Sequence, residues 1–262
     1  MNSTLNNDKQ IEYERYNAVS KRKIVTGINP QDILKDGSSA IALYLQTPYL
    51  YYENLLGDLI APTDNVLDLC CGDGIHTLNL GKLAKSVTAV DIAENSIELA
   101  KEKANHANIK NIVFFASDVE ALNIGEGLFD VITCVGSLSY LDMNNVINVI
   151  NYHLKPGGNL IILDSFNHNI IYRLNRYIHY LKGQRSYSTL KRMPNKHTIS
   201  RFQKEFQKLQ VSYFGIFTFL APIFVKLFSP STTKNIIDAL DKRLRFLRRY
   251  SFKIVLVAQK KE

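Results

Sequence analysis

Residues 66–77, VLDLCCGDGIHT, decide the fold of this chain. The apolar run at 65–69 is typical of a buried strand, Gly72 and Gly74 form a turn, and an apolar helical pattern follows. A glycine turn before a helix start presents unpaired N–H groups where a ligand can approach the backbone closely. Asp91 ends a second apolar strand, and a carboxylate there accepts hydrogen bonds from ribose hydroxyls. Together these elements predict a site for an adenosine-type ligand.

The glycine spacing distinguishes between the candidate cofactors. A dinucleotide fingerprint, G-x-G-x-x-G/A, needs a small residue where this chain has Thr77. Asp68 in the first strand is a poor neighbour for a pyrophosphate and a good one for a cation. S-adenosylmethionine carries an ammonium and a sulfonium group and no phosphate. The residues therefore favour this cofactor and make a nicotinamide oxidoreductase the least favoured interpretation.

Five motifs in unbroken order make the chain resemble the class I S-adenosylmethionine-dependent methyltransferases, especially the ubiquinone-biosynthesis-like small-molecule group. The first motif of that family, D-x-G-x-G-x-G, matches residues 68–74, with Cys70 in place of its first glycine. The other matches are residues 87–92 (VTAVDI), 114–119 (FFASDV), 129–135 (FDVITCV) and 154–162 (LKPGGNLII). The resemblance covers residues 65–164 and fades outside that span.

The resemblance implies S-adenosyl-L-methionine as cofactor and S-adenosyl-L-homocysteine as product. Asp68 is expected near the methionine part, Asp91 on the ribose and Asp118 on the adenine amino group. Asp118 also suits a second role, as the cap of a helical turn near Glu120. The predicted cofactor-binding residues are Asp68, Cys70, Cys71, Gly72, Gly74, Asp91, Ile92, Ser117, Asp118, Val119, Cys134 and Gly136.

Alternating strand and helix patterns predict an α/β fold. With the resemblance, this becomes a Rossmann-like, mostly parallel sheet of seven strands, with helices on both faces and an antiparallel last strand. Strands are expected at 65–70, 86–91, 112–117, 129–135, 159–165, 211–217 and 252–257. Helices are expected from residue 47 to about 62 and at 75–84, 94–106, 144–153, 170–181 and 200–209.

The domain organisation follows from the same patterns. Residues 1–60 are expected to form an N-terminal helical arm or lid, and residues 61–262 the methyltransferase domain. Substrate-side insertions are expected at 166–200 and 219–250. Three cysteines and the absence of an apolar leader predict a reduced, cytoplasmic protein. No metal site is predicted, since no paired Cys or His spacing is present.

Charge is divided unevenly along the chain. Residues 1–165 hold 12 Lys+Arg and 20 Asp+Glu, whereas residues 166–262 hold 20 Lys+Arg and 4 Asp+Glu. An acidic cofactor half joined to a basic C-terminal third predicts an anionic partner, either a phosphate-bearing substrate, a membrane surface or a nucleic acid. A solvated basic face without a partner is the simpler alternative.

The insertion before the last strand contains a predicted basic amphipathic helix. Its apolar residues are Ile236, Ile237, Leu240, Leu244 and Leu247, with basic residues between them. Such a helix suits peripheral contact with an anionic membrane surface. It equally suits a lid whose apolar face covers the substrate pocket, and this interpretation is slightly favoured. A transmembrane span is not predicted, because the apolar run at 213–228 is short and is interrupted.

The loop after the fourth strand, GSLSY at 136–140, is expected to face the transferred methyl group. It lacks the N-P-P-Y clamp for planar amino groups, which favours an oxygen, a carbon or a flexible amine as acceptor. The candidate catalytic bases are Tyr140, His168 and His197, whereas His179 is expected at the surface. The candidate substrate-binding residues are Tyr140, Tyr172, Arg173 and Arg176.

Three functions remain open at this point. The leading one is a methyltransferase for a small molecule, such as an anionic glycan or a lipid-linked precursor. The second is an RNA methyltransferase that uses the basic C-terminal third as a phosphate track. Nucleic acid is less favoured as a partner, because no added recognition module is visible. The third is a non-catalytic cofactor-binding protein. The acceptor and the oligomeric state are not defined by the pattern.

Overall fold

Seven strands, numbered β1 to β7 in chain order, build one sheet in the computed structural model, which describes residues 7–25, 37–183 and 186–262. Their bounds are Asn65–Leu69, Ser86–Asp91, Ile112–Ala116, Phe129–Val135, Leu154–Ser165, Lys208–Phe214 and Lys253–Gln259. The sheet order is β3-β2-β1-β4-β5-β7-β6. Strands β1 to β5 run parallel, and β7 lies antiparallel between β5 and β6. The predicted fold class is confirmed.

The strand order reverses at β1, because β2 pairs with one edge of β1 and β4 with the other. Leu69, at the end of β1, lies opposite Val90 of β2 and Cys134 of β4. At such a reversal a crevice opens beyond the carboxyl ends of the strands. The ends of β1, β2 and β4 therefore frame the ligand site.

Ten α-helices, numbered α1 to α10, are found in the described residues. Their bounds are Asn7–Val25, Thr47–Leu59, Thr77–Leu83, Glu94–His106, Met143–His153, Ile170–Leu181, Tyr187–Lys191, Lys196–Glu205, Ala221–Leu227 and Pro230–Arg243. On one sheet face Leu67 belongs to a core with Ile150 of α5. On the other face Val66 packs with Leu56 of α2. Because neighbouring strand residues point to opposite faces, a sheet covered on both sides needs continuous apolar strands.

The segment Pro156-Gly157-Gly158 is part of a strand rather than the turn before one. Strand β5 begins at Leu154, five residues earlier than predicted, and pairs there with Phe129. The pairing shifts register between Phe129 and Val131, and Gly157 has a φ of +73°. A glycine at positive φ lets a strand bulge and continue, so the turn signal marked an irregularity within β5.

Strand β6 and helix α8 both begin earlier than predicted. Asn195 caps α8 in a capping box with Thr198, which starts the helix at Lys196 instead of residue 200. Strand β6 ends at Phe214, because Gly215 follows at a φ of +74°. The carboxylate of Asp241 then accepts hydrogen bonds from three successive backbone N–H groups, those of residues 215, 216 and 217. This anchor ends the strand three residues before the predicted limit.

The described part of the N-terminal arm packs onto the domain. Residues 1–6 and 26–36 of the predicted arm lie outside the described residues. Helix α1 lies against the start of α4, where the Asn17 side chain accepts a hydrogen bond from the Asn95 N–H at 2.9 Å. The Ser20 and Ser96 hydroxyls lie 2.8 Å apart in the same contact. Helix α1 therefore satisfies a donor that the first turn of α4 leaves unpaired.

The insertion at 219–250 contains α9, α10 and a 3₁₀ segment, Arg245–Tyr250. The predicted basic helix therefore stops at Arg243 rather than continuing to residue 247. Ile237 of α10 is buried, as expected for an apolar face turned inward. The Asp238 carboxylate accepts from the Thr47 hydroxyl at 2.8 Å, which ties α10 to the start of α2. No helix in the described ranges is long and apolar enough to span a membrane.

Candidate functional site

A cleft of about 310 Å³, called here the cofactor cleft, lies beyond the carboxyl ends of β1, β2 and β4. The loops after these strands and residues of α1 line it. Most of the predicted cofactor-binding residues line it: Asp68, Cys70, Cys71, Gly72, Asp91, Ile92, Asp118, Val119 and Gly136. Residues far apart in sequence thus meet at one place, as expected for the edge of a parallel sheet.

The turn after β1 depends on residues at positive φ. Gly72 has a φ of +54° and Gly74 a φ of +80°, and Cys70 also adopts the left-handed region at +58°. This conformation explains why a glycine is expected at position 70. The Cys71 N–H donates to the Val90 carbonyl at 3.0 Å, which fixes the turn against β2. A Cβ on Gly72 would find no atom within 4 Å, so the backbone there borders open space.

Asp68 is buried at the base of the cofactor cleft and held by two hydroxyl groups. Thr77 donates to one carboxylate oxygen at 2.7 Å, and Thr133 donates to the other at 2.8 Å. Burial raises the pKa of Asp68 to about 6, although the two hydrogen bonds oppose that rise. A cation placed beside Asp68 would offset the cost of burying its charge. This carboxylate is therefore suited to an ammonium-bearing ligand.

Asp91 joins the glycine turn to the end of β2. One carboxylate oxygen accepts from the Gly72 N–H and the other from the Ala93 N–H, both at 2.9 Å. Burial raises the pKa of Asp91, and these hydrogen bonds oppose the rise. The side chain is thus oriented by the backbone on both sides while still lining the cofactor cleft. A carboxylate oxygen retains further acceptor capacity for hydroxyl groups.

Asp118 has the capping role that the sequence suggested for it. Its carboxylate caps the 3₁₀ turn Val119–Ala121 by accepting from the Glu120 N–H. The other oxygen accepts from Lys9 of α1 at 2.6 Å, and Lys9 also lies 3.2 Å from Glu120. Asp118 lines the cofactor cleft as well. Capping therefore does not withdraw this carboxylate from the site.

Helix α1 contacts the surroundings of the cofactor cleft through polar side chains. The Tyr16 hydroxyl donates to the Tyr140 hydroxyl at 3.1 Å. Lys23 and Lys103 lie 2.8 Å and 3.0 Å from the Asp73 carboxylate. Sequence reasoning placed no site residue on this helix, since its weakly amphipathic pattern gave no sign of a buried face. Yet Lys9, Glu12 and Tyr16 line the cofactor cleft.

A second cavity, of about 650 Å³ and called here the acceptor cavity, adjoins the first. Gly136 and Tyr140 line both. Helix α6 supplies one wall of the acceptor cavity through Tyr172, Arg176 and His179. These residues lie on one helical face by their spacing of four and three. Arg173 lies off that face and is exposed, so it does not line the cavity, contrary to the prediction. His179, which was expected at the surface, forms part of the cavity wall instead.

Two charged residues that line the acceptor cavity, Asp164 and Arg176, are buried. Arg176 donates to the Asn167 side chain at 3.1 Å, and its guanidinium carbon lies 5.8 Å from the Phe252 ring centroid. The carboxylate of Asp164 accepts from the Leu138 N–H at 2.8 Å, which anchors the loop that carries Tyr140. Burial raises the pKa of Asp164, and the positive charges of Lys253 and Arg176 oppose the rise. Sequence analysis did not single out Asp164, although it lies one residue before the end of β5.

Two candidate bases lie elsewhere. His168 accepts a hydrogen bond from the Lys196 N–H at 3.1 Å and thereby supports the start of α8. His197, in the first turn of α8, is exposed. Neither lines the cofactor cleft or the acceptor cavity. Tyr140 is the predicted catalytic candidate that the structure places at the junction of the two.

Three predicted cofactor-binding residues do not line the cleft but contact residues next to it. Gly74 packs against Ala100, since a Cβ there would lie 3.0 Å from the Ala100 Cβ. The Ser117 N–H donates to the Asp91 carbonyl at 2.9 Å. Cys134 is buried beside Cys70, and its hydrogen bond together with burial raises the pKa of the Cys70 thiol. In the chain as described, no three His, Cys, Asp or Glu side chains are grouped to hold a metal ion.

Comparison with known proteins shows which proteins this chain is similar to. Residues 66–158 match a family model described as a methyltransferase domain. The chain is 35% identical over 114 residues to a demethylmenaquinone methyltransferase of Lactococcus lactis, an alignment covering 42% of this chain and 44% of that protein. It is 35% identical over 106 residues to a ubiquinone biosynthesis O-methyltransferase of Coxiella burnetii, covering 40% and 44%. The chain thus spans less than half the length of these curated relatives.

A solved structure resembles the whole chain. The geranyl diphosphate C-methyltransferase of Streptomyces coelicolor, solved with Mg²⁺, geranyl-S-thiolodiphosphate and S-adenosyl-L-homocysteine, superposes with a TM-score of 0.61. The match covers 100% of both chains at 14% sequence identity. At that identity the likeness shows the fold alone.

Proposed function

We propose that the protein is a class I S-adenosylmethionine-dependent methyltransferase that transfers a methyl group to a small molecule bound in the acceptor cavity. The match of residues 66–158 to a methyltransferase domain and the two methyltransferase relatives support this proposal. The observation that carries the proposal is the junction at Gly136 and Tyr140, which line both the cofactor cleft and the acceptor cavity. A donor and an acceptor bound on either side of one junction can be aligned for direct transfer.

The cofactor cleft fits S-adenosylmethionine by the chemistry of its groups. Asp68 would accept from the amino group, Asp91 from the ribose hydroxyls and Asp118 from the adenine amino group. The open space at Gly72, where a Cβ would meet no atom, lets the ligand lie against the backbone. When bound, the cofactor supplies a methyl group made electrophilic by its positive sulfur. The residues of this chain then need only to orient the acceptor, exclude water and manage a proton.

Tyr140 is proposed to orient the acceptor at the junction. Its hydroxyl is fixed by the Tyr16 hydroxyl at 3.1 Å, and its loop is anchored by Asp164 through the Leu138 N–H. Neither His168 nor His197 lines the cofactor cleft or the acceptor cavity, which argues against either as the base. An acceptor whose oxygen or carbon ionises readily needs no strong base, and this favours phenol-like or acidic acceptors.

The acceptor is proposed to be an amphiphilic molecule with a phenolic or anionic head. The cavity wall combines the rings of Tyr172 and Phe252 with Met193, and it carries the positive charge of Arg176. An apolar body and an acidic or phenolic oxygen would both find partners there. The two relatives are named for quinone compounds, which supports this class. A lipid-linked glycan precursor has the same combination of properties.

The test uses S-adenosylmethionine labelled in its methyl group. Pure protein is incubated with the label and a cell lysate, and the products are partitioned between organic and aqueous phases. Label in the organic phase is the expected result. Nuclease-sensitive label in the aqueous phase would instead indicate RNA, and glycosidase-sensitive label a soluble glycan.

The control is binding of S-adenosyl-L-homocysteine measured by calorimetry on the same protein. Binding without label in any product would mean a non-catalytic cofactor-binding protein and would overturn the proposal. Binding of NAD in place of S-adenosyl-L-homocysteine would overturn the cofactor assignment as well.

A further inference from the structure

Helix α6 has two faces of opposite character, and the apolar one is turned to the outside. Six large apolar side chains, called here the α6 stripe, repeat at helical spacing and are between 41% and 77% exposed. They are Ile170, Ile171, Leu174, Tyr177, Ile178 and Leu181. A helix that packs on a globular protein normally buries such a stripe. An exposed stripe of this size marks an interaction surface.

The segment that carries the stripe has an extreme charge. Residues 166–204 contain nine Lys and Arg residues and no Asp or Glu. Arg173 and Lys182 on or beside α6 are exposed, as is Lys191 at the end of α7. Tyr187 of α7 is 66% exposed, and its ring centroid lies 6.0 Å from that of Tyr180. The stripe is therefore bordered by cations and by aromatic rings.

We infer that the α6 stripe docks onto the surface of an anionic lipid bilayer. An interfacial helix combines an apolar face that enters the acyl boundary with basic residues that meet the headgroups. Tyrosine rings at the edge suit the headgroup level. A second copy of this chain is a poor occupant, because a symmetric contact would bring two such cationic segments together without an acidic partner.

The docking surface lies on the other side of α6 from the acceptor cavity. Tyr172, Arg176 and His179 line that cavity, whereas Leu174 and Ile178 face outward on the same helix. One helix, about 10 Å in diameter, thus separates the cavity from the docked bilayer. An amphiphilic acceptor would enter from the membrane at this helix. This last step rests on the proposed function, whereas docking itself does not.

The test is flotation of the full chain with lipid vesicles, in the absence of cofactor and acceptor. Vesicles of phosphatidylcholine alone are compared with vesicles containing about one-third phosphatidylglycerol. The wild-type protein is expected to float with the anionic vesicles, and Leu174→Glu is expected to bind them at least about tenfold more weakly. The matched control is Leu128→Glu, which alters a leucine 45% exposed in the loop before β4 and should bind like the wild type.

The charge requirement is tested with a pair of double variants. Arg173→Gln with Lys182→Gln should lower vesicle binding by roughly tenfold, since each cation near an anionic surface adds to the attraction. Lys101→Gln with Lys110→Gln, which alters exposed lysines of the cofactor half, should leave it unchanged. Circular dichroism of all variants establishes that they are folded.

Three results would overturn the inference. The first is a wild-type protein that stays with the aqueous phase on anionic vesicles. The second is equal binding by Leu174→Glu and Leu128→Glu. The third is a wild-type protein that binds no vesicles but forms a dimer in light scattering, with the dimer lost in Leu174→Glu. That result would assign the stripe to contact with a second copy. Because flotation is measured without turnover, loss of the methyltransferase proposal would leave this outcome unaffected.

Discussion

The hydroxyl of Tyr16 on α1 lies 3.1 Å from the hydroxyl of Tyr140, which follows β4. The two rings meet edge to face, with centroids 5.8 Å apart. This contact lies at the junction between the cofactor cleft and the acceptor cavity, because Tyr140 lines both and Tyr16 lines the cleft. The N-terminal helix and the loop after β4 therefore share control of the place where transfer is proposed to occur.

Replacing Tyr140 by Phe is predicted to lower turnover and to leave cofactor affinity almost unchanged. The ring would remain, but the hydroxyl that meets Tyr16 would be lost. Turnover should fall by at least about tenfold, because a small misplacement of an acceptor strongly lowers the rate. Affinity for S-adenosyl-L-homocysteine should change by less than about twofold, because no direct bond to it is removed. Tyr152→Phe, on an exposed ring of α5, is the control, and equal loss in both variants would refute the role.

Changing each glycine of the turn to alanine is predicted to affect a different property, stability at Gly74 and cofactor affinity at Gly72. A Cβ at Gly74 would meet Ala100 at 3.0 Å, and the residue has a φ of +80°. Gly74→Ala should therefore lower the free energy of unfolding by about 1–3 kcal/mol. Gly72→Ala adds a methyl group to open space and should cost about 1 kcal/mol in stability. It should weaken cofactor binding more than Gly74→Ala does, because the added methyl group would lie where the cofactor binds. Urea denaturation and calorimetry measure the two effects, and identical profiles would contradict the distinction.

Cofactor affinity is predicted to fall below pH 6. Burial raises the pKa of Asp68 to about 6 in the free protein, and a bound ammonium group would stabilise the ionised form and lower that pKa. Protonation below pH 6 therefore competes with binding. Affinity for S-adenosyl-L-homocysteine should decrease by about tenfold between pH 7.5 and pH 5. Calorimetry on Asp68→Asn, which lacks the titrating group, should show weak binding with little change over this range.

Helix α1 is predicted to open more easily than the rest of the fold. Its contacts with the domain are mostly polar, including Asn17 to Asn95 and Lys9 to Asp118. Segments held by few apolar contacts open at low free energy. Limited proteolysis should cut within α1 first, S-adenosyl-L-homocysteine should slow the cut, and Asn17→Ala should accelerate it. Lys21→Ala, at an exposed position of α1, should have no effect, and a cut elsewhere first would oppose the prediction.

The cofactor half of the site could be predicted because its signals are local. The glycine turn, Asp68 and Asp91 lie at strand ends that the apolar pattern locates, and parallel strands bring their ends together. The exact bounds of the strands were harder to predict, since a glycine such as Gly157, which indicates a turn in the sequence, also occurs inside a bulged strand. Cys70 shows that a left-handed position can carry a residue other than glycine.

The acceptor side could not be derived in the same way. Arg173 and His179 exchanged places relative to the prediction, because the face of α6 that meets the cavity is the one opposite its apolar stripe, and that face carries His179 but not Arg173. The usual rule that the apolar stripe faces inward fails for this helix. His168 was selected for following β5, but it supports α8 instead. The contribution of α1 rests on long-range polar contacts, which leave no periodic pattern.

The central claim is tested most directly by titrating S-adenosyl-L-homocysteine into three proteins by calorimetry: the wild type, Asp91→Ala and Asp58→Ala. Asp58 is exposed on α2 and serves as the matched control. The wild type and Asp58→Ala should bind alike, and Asp91→Ala should lose about 1.5–3 kcal/mol of binding free energy with its charge-assisted hydrogen bonds. Equal affinity in all three proteins, or no binding by the wild type, would contradict the account.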